Sequence, residues 1–408
     1  MIPRKPSHII PIHLVTPPRS GVKLEFSEDV PLSLYVHIPW CVRKCPYCDF
    51  NSHPLRGQLP EEAYVAALIA DLESALPLIW GRKIISIFFG GGTPSLFSGA
   101  GLDTLLSAFR ARLPLLPDVE ITLEANPGTV ETEKFAAFRA AGVTRLSLGI
   151  QSFNRVHLGA LGRIHDDREA QQAIACAARH FDNFNLDLMY GLPGQSLEQA
   201  LTDVEEALSF SPAHLSCYQL TLEPHTAFAA TPPVLPDPDI CADIQEAIET
   251  RLADAGFIHY ETSAFAQPGK TCRHNLNYWT FGDYLGIGAG AHGKLTLVDE
   301  GQWQVCRQVR WRQPEHYLVQ AMEKNPLQDE FTIKPNSLPF EFMMNALRLN
   351  HGFETRLFEA RTAQPLSVIN PILDRAMEEG LIECDERIIL PTKQGQRFLN
   401  RLLEMFLE

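Results

Sequence analysis

The sequence predicts an α/β protein: a partial (β/α)6, TIM-like barrel followed by a small α+β domain of winged-helix type. Six short apolar segments recur with helix-period stretches between them, at 34–38, 84–89, 119–124, 145–150, 184–189 and 215–222. Strands alternating with helices at such spacing argue for βαβ units and a parallel sheet. Six units fall short of the eight that close a full barrel. From about residue 326 the pattern changes to a helix candidate at 340–349, a hairpin-like run at 381–390 and a helix starting near Thr392. A chain of 408 residues has room for one large domain and a smaller one.

Taken in order, residues 1–30 are Pro-rich and read as a loosely held extension. Arg4 and Lys5 precede an apolar segment that Pro11 and His13 interrupt, with no small-residue cleavage site, so it does not read as a signal peptide. Residues 31–225 hold the six strand candidates. The first crossover helix is clear: after Pro60, Tyr64, Leu68, Leu72 and Leu76 repeat every four positions with acidic residues between them. Residues 226–325 complete the barrel, with a Pro-rich linker at 232–238, a helix at 240–255, a strand at 257–265 and a Gly-rich turn at 282–293. Residues 326–408 form the small C-terminal domain.

Net charge is −14 and no long basic run occurs, which argues against broad nucleic-acid binding, where clustered Lys and Arg are needed. The winged-helix-like end is therefore expected to pack or to meet a protein partner. Nine cysteines, an odd number with three in one loop, do not form a disulfide framework and fit a reducing cytoplasm. No apolar stretch reaches the length of a bilayer span.

The chemistry-bearing residues gather at strand ends. Cys41, Cys45 and Cys48 form a C-x3-C-x2-C run directly after the first strand. Three thiolates can hold three irons of a 4Fe–4S cluster and leave the fourth open, whereas electron-transfer clusters take a fourth Cys. A Cys3His zinc site using His53 is the competing reading. Gly90–Thr93, Glu124, Gln151 and Asp187 fall at or near the C-terminal ends of the other strands, the face where parallel barrels build their sites. The backbone of the Gly-rich turn is expected to offer free N–H and C=O groups to a ligand. Arg163 is a candidate partner for Asp187 or for a ligand carboxylate. A second cluster runs from Cys272 to Trp279. There His274 can serve as an axial haem ligand with Cys272 as the alternative, Tyr278 and Trp279 can pack on a porphyrin face, and Arg273 can meet a propionate. A hydrogen-bonded histidine in an aromatic-lined core fits the same residues, and the residues alone leave the choice open.

Together these motifs resemble the radical S-adenosylmethionine (SAM) superfamily and, within it, the oxygen-independent coproporphyrinogen III oxidase-like family, from about Leu34 to the C-terminus. Two features point to the haem-chaperone branch. Phe50 stands where the oxidase carries a further Cys, and His274-Asn275-Leu276-Asn277-Tyr278-Trp279 fits an H-N-x-x-Y-W haem motif. The resemblance implies that Cys41, Cys45 and Cys48 ligate a 4Fe–4S cluster. It implies that Tyr35, Gly91, Gly92, Thr93 and Glu124 contact SAM, joined by Tyr47, Gln151, Arg163 and Asp187. It further implies haem b held by His274, Tyr278 and Trp279, with His274 on the iron. The expected task is delivery of haem to apo-haemoproteins such as respiratory enzymes in the cytoplasm, with no catalytic residue assigned. The resemblance leaves open a homodimer and peripheral membrane association with clients. The enzyme alternative is coproporphyrinogen III dehydrogenation by radical oxidative decarboxylation.

Overall fold

The computed structural model describes residues 30–129, 132–299 and 302–407. All but the last residue of the extension expected over 1–30 lie outside them. Six parallel strands follow in the expected order: β1 (Leu32–Ile38), β2 (Ile84–Gly91), β3 (Leu115–Ala125), β4 (Arg145–Gln151), β5 (Phe184–Tyr190) and β6 (His214–Gln219). Then come β7 (Ile258–Glu261), β8 (Ala264–Ala266), β9 (Asp283–Ile287), β10 (His292–Asp299), β11 (Gln302–Arg310) and β12 (Leu327–Thr332). They form one sheet in the order β12-β11-β10-β9-β1-β2-β3-β4-β5-β6-β8-β7.

Alternation along β1–β6 decides what each face does. One face carries Leu34, Val36, Ile38, Ile87, Phe89, Ile121, Leu123, Leu146, Leu148, Leu186 and Leu188, all in the main apolar core with Tyr64, Leu68 and Leu72 of the helix Glu61–Ala75. Burying a side chain of this size stabilises the fold by roughly 1.5–3 kcal/mol. The period-2 partners of these positions are Ser33, Tyr35 and His37 on β1, Ser86 and Phe88 on β2, Glu120, Thr122 and Glu124 on β3, Arg145 and Ser147 on β4, Asn185 and Asp187 on β5, and His214, Ser216 and Tyr218 on β6. The barrel therefore turns its apolar face out to the helices and a polar face inward.

Four expectations are corrected. The strand expected over 215–222 stops at Gln219, where the chain turns and Leu220 N donates to Tyr190 O. The strand expected over 257–265 is a hairpin, because Thr262 and Ser263 make a turn between β7 and β8. The Gly-rich segment 282–293 contains β9, a seventh parallel strand on the free edge of β1. Its five buried residues were masked as a turn signal by the flanking glycines. Residues 327–332, expected in the C-terminal unit, pair with β11 as the sheet edge.

Beyond β12, helices Leu338–Ala346, Thr355–Thr362 and Asn370–Glu378 precede the expected hairpin, Ile382–Cys384 with Ile388–Pro391. Thr392 caps the next helix by accepting from Gly395 N. This unit has its own core around Phe342 and Phe358, which takes in Phe281 and the partly buried Trp279 from the barrel side.

One buried ion cluster fixes β9. Asp283 is fully buried and accepts from Lys294 Nζ and Arg82 Nη2, each at 2.8 Å, and from Thr296 N at 2.7 Å. Burial alone would raise its carboxyl; Lys294 and Arg82 outweigh that and hold it below the ordinary value. Removing one partner of a buried pair strands the other charge and costs about 3–5 kcal/mol. Asp283→Ala is accordingly expected to lower the urea midpoint by a shift of that size with the m-value unchanged. A midpoint shift below about 1 kcal/mol equivalent would show that the cluster does not fix the strand.

Candidate functional site

The cysteine loop leaves β1 at the C-terminal end of the barrel. Trp40–Cys41 and His53–Pro54 pair in parallel and pinch its base. Lys44 Nζ donates to Phe50 O and Ser52 O from inside the loop, and Asn51 Nδ2 ties it to Ala289 O and Arg312 O across the barrel. Cys41, Cys45 and Cys48 are half-buried and line a cavity of about 280 Å³. Of the nine residues expected to meet SAM, the same cavity is lined by all except Tyr35. Burial raises the Cys41 thiol above its ordinary value.

The turn after β2 works differently from expectation. Gly91 N donates to Glu124 Oε2, Gly92 N to Ile38 O and Thr93 N to Trp40 O, so these three N–H groups are spent inside the protein. The glycines are needed because the turn presses against the cysteine strand. A Cβ on Gly92 would lie 2.5 Å from Trp40 O, and Gly91 has a φ of +110° with its missing Cβ 2.4 Å from the His37 ring.

Arg163 does not meet Asp187, as the sequence allowed. Its Nη1 lies 3.6 Å from Cys45 Sγ, and its Nη2 donates to Gly149 O and Asn126 Oδ1. Asp187 is instead held by Asn185 Nδ2 at 2.8 Å and Ser147 Oγ at 3.1 Å. It sits mid-strand rather than at the strand end. Gln151 has a φ of +70° after a register shift between Gly149 and itself, which aims its side chain into the cavity. Burial first, then the nearby Asp187, push the Glu124 carboxyl up to about 8.

A second cavity, about 550 Å³, adjoins the first and shares Phe50, Gly91, Glu124, Ser147, Asp187 and Tyr218 as walls. It lies in the size range of cofactor pockets. Tyr35 belongs here; its hydroxyl lies 3.0 Å from His37 Nδ1, and His37 Nε2 lies 2.9 Å from Asn51 O. Burial holds His37 near pKa 4, so the ring is neutral and relays the hydrogen bond to the cysteine loop.

The floor of this cavity is the helix Arg273–Trp279, which closes the N-terminal end of the barrel. Three inward side chains, two near the starts of β1 and β2 and one from the middle of β3, hold it. Ser33 Oγ accepts from Asn277 Nδ2 at 3.0 Å, Glu120 Oε1 accepts from Arg273 N at 2.9 Å, and Ser86 Oγ lies 3.5 Å from His274 Nδ1. His274 is 6% exposed and stacks on Phe88 at 4.8 Å between ring centroids. Burial first and Arg145 next lower its pKa to about 3, so the imidazole is neutral, the form that can bind a metal. Tyr278 and Trp279 line the same cavity.

Two neighbours lose their expected roles. Arg273 points away: its guanidinium is paired with Asp118 at 2.8 Å on the surface and lines no part of the cavity. Cys272 is buried outside the cavity, its Sγ 3.5 Å from Glu120 Oε1 and 3.4 Å from Asn275 Oδ1, either of which can accept its one proton, and burial pushes its thiol up to about 12, which disfavours a thiolate ligand. The zinc reading also fails on geometry. Zinc needs its ligands converging on one point at about 2.0–2.3 Å. Among the described residues no group of three or more His, Cys, Asp or Glu is so placed, and His53 lines neither cavity. A cluster asks for less convergence, because each thiolate meets a different iron.

Comparison with known proteins fits this geometry. The Radical SAM superfamily model matches residues 35–207, and the HemN C-terminal domain model matches residues 333–398. The "Heme chaperone HemW" of Escherichia coli K12 is 50% identical over 379 residues, which cover 92% of this chain and 98% of that protein. The chain belongs to the HemW family. The HemW of Haemophilus influenzae is 47% identical over 382 residues, covering 92% of this chain and 98% of that one. The E. coli coproporphyrinogen III oxidase structure (HemN) superposes on this HemW-family chain with a TM-score of 0.78 at 25% identity, covering 93% of this chain and 90% of that one. The superfamily implies a 4Fe–4S cluster and SAM.

The sequence reading missed Arg145 and His37, which line the larger cavity. The signal was available: each occupies an inward position of a strand whose alternate residues are apolar. Gly92→Ala is expected to break the clamp between the turn and Trp40 and to lower the iron retained per chain after anaerobic reconstitution by at least half; full iron content would contradict the steric argument.

Proposed function

We propose that this HemW-family chain is a haem chaperone. It holds a 4Fe–4S cluster on Cys41, Cys45 and Cys48 and SAM against Tyr35, Tyr47, Gly91, Gly92, Thr93, Glu124, Gln151, Arg163 and Asp187. It holds haem b with His274 on the iron and Tyr278 and Trp279 beside the ring, and it passes that haem to apo-haemoproteins, respiratory enzymes among them, in the cytoplasm. One observation carries the reading: the cysteine loop and the neutral, buried His274 line adjoining cavities with common walls. HemW relatives bear the name of haem chaperones. Among the described residues no helix is long and apolar enough to cross a membrane, and membrane clients would be met at the surface.

The residues fit these groups. Arg163 and Tyr47 flank Cys45, and Glu124 offers an acceptor for the SAM ammonium beside the cluster loop. A cluster held by Cys41, Cys45 and Cys48 would have an open iron and could supply an electron to SAM bound beside it. Phe50, 62% exposed, overhangs both cavities where the oxidase carries a Cys. The HemN likeness favours a second reading, coproporphyrinogen dehydrogenation; protoporphyrinogen formed on anaerobic incubation with coproporphyrinogen III, SAM and a reductant would replace the chaperone reading with it.

Titration with haem tests the proposal. Wild-type protein is expected to give a Soret band that His274→Ala weakens, with affinity falling about tenfold or more, equal to about 1.4 kcal/mol. An unchanged spectrum and affinity would overturn it. Glu124 adds a pH test. Its carboxyl is protonated below about 8 and must ionise to hold a cation. SAM affinity is therefore expected to rise as pH rises from 6 towards 8, with a proton released on binding. Calorimetry in buffers of different ionisation enthalpy reads that proton, and Glu124→Gln abolishes its release; wild-type binding without proton release would contradict the role.

A further inference from the structure

The larger cavity contains a cation that nothing above uses. Arg145 opens β4 and is 2% exposed. Its side chain lines the cavity between the His274 floor and the Asp187 wall. Among the described residues its guanidinium makes no hydrogen bond and no ion pair, and its Nε is buried without an acceptor. A guanidinium carries five N–H donors in a planar fork suited to a carboxylate. Leaving it buried and unpaired is costly.

The titratable groups around it favour its charge but make no hydrogen bond to it. Glu120, Cys272, Tyr260 and Asp187 face Arg145 from β3, the residue before the helix Arg273–Trp279, β7 and β5. Glu120 Oε1 takes Arg273 N, and the two Asp187 oxygens take Asn185 and Ser147. Arg273, the residue the sequence offered for an acidic ligand group, is turned to the surface. Arg145 is thus the cavity-lining cation whose charge acts on His274; Arg312 lines the same cavity.

We propose that Arg145 anchors a carboxylate of the ligand that occupies this end of the barrel. The inference rests on the reading of the cavity as a ligand site and deepens it. Two sources share the chemistry: a haem propionate, with His274 on the iron, or the amino-acid carboxylate of SAM. The first source gives the ring a fixed orientation, because the iron and one edge are held from different elements, the helix Arg273–Trp279 and β4.

The test compares haem with its dimethyl ester, which lacks carboxylates, on wild type, Arg145→Gln and Arg145→Lys, with SAM binding to cluster-loaded protein as a parallel arm. Wild type is expected to prefer haem over the ester by about tenfold or more, and Arg145→Gln to bring that ratio towards one while ester affinity holds. Arg145→Lys, which keeps the charge without the fork, should retain part of the preference. Loss of SAM affinity with an unchanged haem ratio keeps the anchor and assigns it to SAM. An unchanged haem ratio and unchanged SAM affinity in folded Arg145→Gln overturn it. A wild type that takes no haem sinks the chaperone reading by itself, and the SAM arm still decides Arg145. Thermal melts of each variant separate loss of binding from loss of fold.

Discussion

The parallel pairing of β9 with β1 is the constraint on which the rest depends. It brings a segment from the far end of the chain against the strand that feeds the cysteine loop. The helix before β9 then has one place to go, the open N-terminal end of the barrel, where Asn277 bridges Ser33 on β1 and the carbonyl of Asp283 on β9. The Asp283 cluster fixes that join in a dry environment, where a paired carboxylate is stable and a lone one is not. The C-terminal unit braces the helix from outside, with Arg348 over the Trp279 ring at 4.5 Å. The cysteine loop caps one end of the barrel interior and the H-N-x-x-Y-W helix the other.

Between the two ends the interior is polar, and burial disfavours the charged forms of its carboxyl and imidazole groups. Burial pushes Glu124 up to about 8 and raises Asp187, while it holds His37 near 4 and His274 near 3. Each shift disfavours the charged form, as expected for groups withdrawn from water without a close counter-ion. Such an interior takes in ligands that bring their own charges. A cationic ligand can ionise Glu124, and an anionic one can satisfy Arg145. The neutral His274 imidazole stays free for a metal through the physiological range.

Much of this was legible in the sequence, for definite reasons. All six inner strands kept their expected starts to within four residues and their order, because apolar runs between helix-period stretches are strong signals; the cysteine loop and the Glu124 and Gln151 positions followed from them. What was lost depended on distance. β9 hid among glycines whose job is close packing, and its partner β1 lies at the opposite end of the barrel sequence. Arg273 looked like the propionate partner because it adjoins His274, but helix geometry turns neighbours apart. Arg145 was passed over because it begins a strand, and only the folded barrel shows that Arg145 faces the His274 helix.

The central claim is that the cluster and the haem occupy two ends of one barrel interior. Power-saturation EPR on low-spin ferric haem bound to the protein tests it most directly, comparing cluster-free protein with protein carrying the cluster in a paramagnetic state. Markedly faster relaxation of the haem signal is expected when the cluster is present, with loss of that effect together with the low-spin signal in His274→Ala. Haem relaxation identical with and without the cluster would place the two groups far apart and contradict it.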